Sequence, residues 1–172
     1  MPSPDPALLV DIVAPTVLDA WQTASAALVR AGVRHVLIGG LAVGANGYPR
    51  ATKDVDFLVG EEAFVQHAGG LVTMNPSLPI EVNGVPIDYL SQRRGEEHLA
   101  EALAAQPGSI VDAPRLVYLK LRAGRLRDRG DVTGLLNAGL DVEACRAYLV
   151  AHAADLTTSF EALIVQAETE DS

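Results

Sequence analysis

The sequence predicts an α/β (α+β) fold in which a mixed sheet flanked by helices is followed by a C-terminal helical bundle. Short apolar runs bounded by glycine and proline, which are typical of strands, fill much of residues 34–90. From residue 114 onward, apolar residues instead recur at helical spacing. We therefore expect an α/β core over residues 1–113 and a helical part over residues 114–172 that packs on this core.

Composition and charge narrow the class of protein. Of 172 residues, 49% are hydrophobic and 5% aromatic, so the core must consist mostly of aliphatic side chains. A net charge of -9 argues against a protein that coats nucleic acid, although it allows a local basic site. The single cysteine, Cys145, excludes an intramolecular disulfide. Since no signal peptide and no apolar run of membrane-spanning length is found, we expect a cytoplasmic protein without a membrane partner.

Local signals along the chain predict the individual elements. The first 14 residues are punctuated by prolines and are expected to be irregular. Thr16, with Asp19 three positions on, matches a capping box that opens the first helix. Helices are predicted over residues 16–31, 41–47, 61–68, 95–105, 114–124, 128–138, 141–154 and 157–168. Strands are predicted over residues 34–38, 54–59, 71–74, 80–82 and 85–90, with an Asn83-Gly84 hairpin turn and a short strand or link over 110–113.

The stretch from residue 35 to residue 60 combines glycines with paired acids. Side chains of a strand alternate between faces, so Asp54 and Asp56 point to one side while their apolar neighbours point into the core. Two carboxylates on one face repel each other unless a cation lies between them, and carboxylates favour hard cations such as Mg2+. Gly39 and Gly40, in the turn before a short helix, allow the backbone to approach a phosphate.

A second signal is a cluster of basic residues in this acidic chain. Six of the 13 Lys and Arg residues lie between Arg115 and Arg129. Lys120 lies between Leu119 and Leu121, and a lysine in an otherwise apolar helix needs either an anionic partner or access to solvent. The basic strip could accept the phosphates of an RNA by charge, although no aromatic residues alternate with it to stack on bases.

Three short motifs occur in order along the chain: Ile38-Gly39-Gly40, then after thirteen residues Asp54-Val55-Asp56, and later Ile87-Asp88-Tyr89. This order resembles the DNA polymerase β superfamily of nucleotidyltransferases. Arg50 and Thr52, just before the acids, are similar to the AbiEii-like branch, whose members include toxins of toxin–antitoxin systems. The resemblance covers about residues 33–140 and implies a polymerase-β-type nucleotidyltransferase core.

The resemblance implies roles for the acids. Asp54, Asp56 and Asp88 would be the catalytic residues and would hold two Mg2+ ions. The third acid would help to activate the attacking hydroxyl, and Glu81 is an alternative for its place. Many family members have serine where this chain has Gly40, so a phosphate contact at this position would have to come from the backbone.

The resemblance also implies a set of nucleotide-binding residues: Gly39, Gly40, Arg50, Thr52 and Lys120. Arg50 and Thr52 lie at even spacing from the two acids of the second motif, so all four can face one site. Lys120 would contact the nucleotide triphosphate, and Asp128 or Asp131 would fix Lys120 or lie near the site.

The implied function is Mg2+-dependent transfer of a nucleoside monophosphate from an NTP to an acceptor hydroxyl. The acceptor could be an RNA or tRNA end or a protein side chain, and an antitoxin is an implied partner. The apolar C-terminal helices could also form the surface of a homodimer. One alternative is a small-molecule nucleotidyltransferase of the aminoglycoside-modifying kind, which the acidic surface would suit. The other is a non-catalytic nucleotide-binding or partner-binding protein that retains the fold.

Overall fold

The computed structural model describes residues 3–170. Its helices are α1 (Pro15–Arg30), α2 (Gly39–Ala45), α3 (Ala100–Leu103), α4 (Ala113–Ala123), α5 (Leu126–Asn137), α6 (Val142–His152) and α7 (Thr157–Glu170). Its strands are β1 (His35–Ile38), β2 (Val55–Val59), β3 (Phe64–Gln66), β4 (Val72–Met74), β5 (Glu81–Val82) and β6 (Val85–Ser91). Short 3-10 turns lie at Pro6–Leu9, Glu61–Ala63, Glu97–Leu99 and Ala154–Leu156.

The chain forms two compact units. The sheet unit contains Asp11–Leu41 and Ala51–Ile110, which include α1, α3 and the strands β1 to β6. The helical unit contains Ala42–Arg50 together with the described parts of Met1–Val10 and Val111–Ser172. The helical unit therefore includes two early segments that the sequence assigns to the α/β core.

Four strands of the sheet unit form one mixed sheet in the order β1-β2-β6-β5. Strand β2 runs antiparallel to β1 and parallel to β6, and β6 pairs antiparallel with β5. The predicted turn joins β5 to β6, with φ of 51° at Asn83 and 79° at Gly84, the positive values that a two-residue type I′ hairpin requires. Strands β3 and β4 form a separate antiparallel pair. The α/β fold class with a mixed sheet is thus confirmed.

Helix α1 covers one face of the four-stranded sheet. Ser25 on α1 hydrogen-bonds through Oγ to Nε2 of His35 on β1 at 2.8 Å. The ring of His35 lies edge-on to Phe57 with centroids 5.5 Å apart, and Phe57 stacks on Tyr89 at 6.2 Å. These rings therefore lie on the side of α1, and side chains of the opposite parity, Asp56 among them, point to the other face.

Two local predictions are wrong. The predicted helix over 61–68 is instead one 3-10 turn followed by β3. Gly69 and Gly70 both have positive φ and turn the chain so that β4 pairs with β3, and this pairing outweighs the helical preference of the acidic first turn. Helix α1 begins at Pro15, whose φ suits a first helical position, so Thr16 lies inside the first turn and is not the N-cap.

The helical unit contains α4 to α7, the four C-terminal helices that the periodicity predicts. Large and fully buried side chains form its core: Leu9, Leu116, Leu135, Leu149 and Phe160. Asp112 and Asp141 accept hydrogen bonds from backbone N–H groups and cap the N-termini of α4 and α6. Gly124 ends α4 with φ of 67°. No helix among the described residues combines the length and the apolar character needed to cross a membrane.

Tyr48, from the early segment of the helical unit, packs on a glycine of α5. A Cβ atom at Gly134 would lie 2.3 Å from Cε1 of Tyr48, which is too close for any real contact. At Gly130, one turn earlier on α5, a Cβ atom would meet no described heavy atom within 4 Å. The contact with Tyr48 therefore explains why residue 134 is a glycine. Packing does not explain the glycine at position 130.

Alanine at the two glycines of α5 should have opposite effects on stability. We expect Gly130→Ala to raise the free energy of unfolding by about 0.5–1 kcal/mol, because glycine is a poor helix former and the new methyl group meets no obstacle. We expect Gly134→Ala to lower it by about 1–2 kcal/mol, because the ring of Tyr48 must move. Urea unfolding followed by circular dichroism measures both, and stabilisation at both positions would contradict the Tyr48 contact.

Candidate functional site

Two acids lie side by side on neighbouring parallel strands of the sheet unit. Asp56 on β2 is the register partner of Asp88 on β6. Neighbouring strands are about 4.8 Å apart, and register partners of a parallel pair point to the same face. Asp88 is exposed and Asp56 is half-buried, so the pair is accessible on the face opposite α1. The backbone register therefore places these two acids next to each other, on the neighbouring strands that the sequence predicts.

The third acid of the predicted set precedes β2. Asp54 lies one residue before β2 begins and two residues before Asp56. The hydroxyl of Thr52 donates a hydrogen bond to Oδ1 of Asp54 at 2.7 Å, and Thr52 is 5% exposed. A buried donor of this kind fixes the orientation of the carboxylate. The resemblance implies that Thr52 binds nucleotide, and its contact with Asp54 was not predicted from the sequence.

Gly39, at the start of α2, lies directly against one of the acids. Its φ is 68°, and a Cβ atom at this position would lie 1.9 Å from Oδ2 of Asp56. Both observations require glycine, one through the backbone conformation and the other through the space that the carboxylate fills. Gly40, the next residue, is buried. The glycine turn of the first motif therefore packs on an acid of the second motif.

The chemistry of the acid pair fits a hard divalent cation. Carboxylate oxygens are the ligands that Mg2+ favours, and two acids one strand apart can share one ion. Among the described residues, however, no group of three or more His, Cys, Asp or Glu side chains is arranged to hold a metal ion. The fit thus rests on Asp56 and Asp88, and the predicted three-acid site for two Mg2+ ions stays a prediction.

The helical unit contains a buried network of ion pairs. Nζ of Lys120 lies 2.7 Å from Asp131 and 3.1 Å from Asp128, and the lysine side chain is 9% exposed. Arg50 binds Asp131 in a bidentate manner at 2.6 and 2.8 Å, while Arg125 pairs with Asp128 at 2.7 Å. Each of the two aspartates is 2% exposed. The predicted partnership of Lys120 with Asp128 or Asp131 is thus made with both.

The network shifts the pKa of both aspartates. Burial acts to raise the pKa of Asp131, but hydrogen bonds and charges from Arg50 and Lys120 together outweigh burial and hold it below the ordinary value. The pKa of Asp128 is lowered in the same way, against burial, by Arg125 and Lys120. Both carboxylates therefore remain charged well below neutral pH, and the cations around them keep their partners.

The predicted site residues fall into two groups. The sheet unit holds Gly39, Gly40, Thr52, Asp54, Asp56 and Asp88, and the helical unit holds Arg50, Lys120, Asp128 and Asp131. Arg125 was not among the predicted site residues, although it lies three residues before Asp128 at the N-cap of α5, a spacing that allows an ion pair. The bond from Arg50 to Asp131 spans 81 residues, and no local signal in the sequence indicates it.

Comparisons with known proteins find similarity to solved structures alone. No protein-family model matches the chain, and no curated protein matches it. Among solved structures, the chain is similar to an antigenic nucleotidyltransferase-like protein from Paracoccidioides brasiliensis. The two are 16% identical, the match covers 86% of this chain and 95% of that chain, and the TM-score is 0.39. The roles of individual residues therefore rest on the geometry of this chain.

Alanine at Gly39 should destabilise the protein more than alanine at Gly32. Both glycines have φ near 70°, but a Cβ atom at Gly32 would meet no described heavy atom within 4 Å. We expect Gly32→Ala to lower the free energy of unfolding by about 1 kcal/mol, the cost of the left-handed backbone alone. We expect a loss of about 3 kcal/mol for Gly39→Ala, which must also displace the Asp56 carboxylate. Urea unfolding measures both, and equal losses would contradict the contact with Asp56.

Removing the charge of Asp131 should destabilise the protein at neutral pH. We expect Asp131→Asn to lower the free energy of unfolding by about 3 kcal/mol at pH 7, because two cations lose a buried partner. Because the folded pKa of Asp131 is lowered, its contribution is complete above the unfolded pKa of about 4 and is lost as pH falls through the folded value. The difference between wild type and variant should therefore shrink below about pH 4.

Asp155→Asn is the matched control for this substitution. Asp155 also forms a bidentate pair with an arginine, Arg122, at 2.6 and 3.2 Å, but its side chain is 62% exposed. Water and salt screen such a surface pair, so its removal should change stability far less than Asp131→Asn does. Urea unfolding at several pH values measures both variants. Equal losses at pH 7 would contradict a special role for the buried network.

Proposed function

We propose that the protein is a Mg2+-dependent nucleotidyltransferase that moves a nucleoside monophosphate from an NTP to an acceptor hydroxyl. The observation that carries this proposal is the register of Asp56 and Asp88 on adjacent parallel strands, with Asp54 two residues before the first of them. The order of motifs in the sequence supports it independently. In such a reaction the acceptor oxygen forms a bond to the α-phosphorus, and pyrophosphate leaves with the electrons of the broken bond.

The acids have distinct roles in this proposal. Asp54, Asp56 and Asp88 hold the metal, and bound Mg2+ would align the triphosphate and neutralise the charge that develops on the leaving pyrophosphate. Asp88, the most exposed of the three, also accepts the proton of the acceptor hydroxyl. Thr52 orients Asp54 through its hydroxyl. Gly39 leaves room for the Asp56 carboxylate, which a larger residue would displace.

In this proposal Arg50 and Lys120 bind nucleotide phosphates, as the resemblance of the motifs implies. Arg50 and Lys120 share the carboxylate of Asp131, and Asp128 gives Lys120 a second partner. A lysine or arginine held between carboxylates has its ammonium or guanidinium group in a defined position before the nucleotide arrives. This support explains why a chain with a net charge of -9 retains a buried lysine. Gly40 would contact a phosphate through its backbone.

Within the nucleotidyltransferases, we propose that the protein belongs to the AbiEii-like branch. It rests on Arg50 and Thr52 at even spacing before the acids. The acceptor would be an RNA or tRNA end or a protein side chain, and the biological setting would be a cytoplasmic toxin with an antitoxin partner. A homodimer through the C-terminal helices belongs to the same proposal. The alternative acceptor, a cationic small molecule of the aminoglycoside kind, is one that the acidic surface would attract.

Substitution of the paired acids tests the proposed activity. Purified protein is incubated with each labelled NTP, Mg2+, and total RNA or cell lysate, and label transfer is measured. We expect Asp56→Asn and Asp88→Asn each to reduce transfer by about 100-fold or more, because each removes a carboxylate that would hold Mg2+ against the reacting phosphates. Omission of Mg2+ should abolish transfer in the wild type.

Glu81→Gln is the matched control, since Glu81 is an exposed acid on β5, the strand that pairs with β6. Its transfer activity should equal that of the wild type. A loss as large as that of Asp88→Asn would instead assign the third acid to Glu81. NTP binding without transfer to any acceptor would favour the non-catalytic alternative, and transfer to an added aminoglycoside would favour the small-molecule alternative.

A further inference from the structure

A groove of about 680 Å³ lies in the helical unit, and its lining does not include Lys120 or the two aspartates that pair with it. One face of α5, the side of α7 and the side chain of Tyr48 form its walls. Its lining includes Tyr48, Leu126, Arg129, Thr133, Asn137 and Gln166. Ligand sites in proteins commonly enclose about 300–1,000 Å³, so the groove has room for a small molecule.

The charge of the groove is positive. Among the described residues that line it, Arg129 alone carries a charge. Within the described part of the chain, no ion pair neutralises Arg129, whereas Arg125 pairs with Asp128 and Arg122 with Asp155. An unneutralised guanidinium beside hydroxyl and amide side chains attracts a carboxylate, sulfonate or phosphate group.

The groove also presents apolar surface to solvent. Leu126, at the start of α5, is 88% exposed, the highest value among the large hydrophobic residues that are exposed in the described chain. Tyr48 is 37% exposed and contributes an aromatic ring to the lining, while Leu163 lines the groove from α7 and is buried. A ligand with an apolar ring would cover the exposed part of this surface, which water otherwise contacts at a cost in free energy.

Gly130 gives an independent indication that the groove is kept open. It lies in the interior of α5, where glycine costs about 1 kcal/mol relative to alanine. Gly134 has a packing reason, the ring of Tyr48, but a Cβ atom at Gly130 would meet no described heavy atom within 4 Å. A side chain at Gly130 would project into the groove that this residue lines. The absence of a side chain at Gly130 therefore keeps the groove open and does not improve the packing of α5.

We propose that this groove binds a small amphipathic anion, with its acidic group on Arg129 and a ring-sized apolar body between Leu126 and Tyr48. The proposal does not depend on nucleotidyl transfer. A cationic or purely apolar ligand does not satisfy the lining, because the first is repelled by Arg129 and the second leaves that guanidinium without a partner.

Fluorescence titration with anilinonaphthalene sulfonate tests the site, because this probe joins a sulfonate to aromatic rings. Its neutral counterpart, N-phenylnaphthylamine, lacks the sulfonate. We expect saturable binding of the sulfonate at a single site and weaker binding of the neutral probe. In two-dimensional amide NMR spectra of the full chain, the sulfonate should shift resonances of α5, α7 and the segment around Tyr48. Shifts confined to other elements, or no binding of the sulfonate, would overturn the proposal.

Two substitutions assign the binding to this groove. Arg129→Gln should weaken binding of the sulfonate about tenfold and leave the neutral probe unchanged, while Arg127→Gln, an exposed arginine of the same helix outside the lining, should change neither. Gly130→Leu should abolish binding of both probes without lowering the melting temperature, since the side chain enters open space. If Gly130→Leu proves less stable, Gly130→Ala replaces it and should weaken both probes severalfold. Equal effects of the two arginine variants, or full binding by both glycine variants, would refute the assignment.

Discussion

The parallel pairing of β2 with β6 sets the position of the acids in the candidate site. Side chains alternate along a strand, so a slip of one residue in β6 would carry Asp88 to the side of α1 and away from Asp56. The tight turn after β5 sets where β6 begins, and the hydroxyl of Tyr89 donates to the carbonyl oxygen of Pro79 at 2.7 Å. Burial raises the pKa of Tyr89 to about 12, so this hydroxyl remains a donor at physiological pH. The turn and this hydrogen bond thus hold β6 against β5 and the residues that precede it.

The helical unit is organised around a different constraint, the cost of burying charge. Lys120 is a buried cation on α4, and a buried charge is tolerated only when partners compensate for the lost water. Asp128 and Asp131, both on α5, provide that compensation, and Asp131 extends it to Arg50 on the early segment of the unit. One carboxylate therefore links three parts of the chain. The groove on α5 lies in the same unit, but its Arg129 has no such acidic partner in the described chain.

Local patterns in the sequence predict most of the secondary structure and the identity of the acids. Period-two alternation predicts β2, and the Asn83-Gly84 turn predicts the hairpin that leads into β6. Helical spacing predicts the four C-terminal helices, because each buries one apolar side. The prediction fails over 61–68, where pairing with a later strand decides the outcome. A short acidic segment has too weak a local preference to resist such pairing.

By itself, the sequence determined which residues have chemistry to offer: alternating acids, a glycine turn and a lysine in an apolar helix. Only the tertiary structure decided which of them are neighbours. Asp56 meets Asp88 through strand register, and Arg50 meets Asp131 across 81 residues. Tyr48 meets a glycine of α5 in the same way, and that contact shapes a groove which no local pattern indicates. The physical reason is that periodicity reports which face of an element is buried, whereas partners distant in the chain are chosen by packing and charge after the elements have assembled.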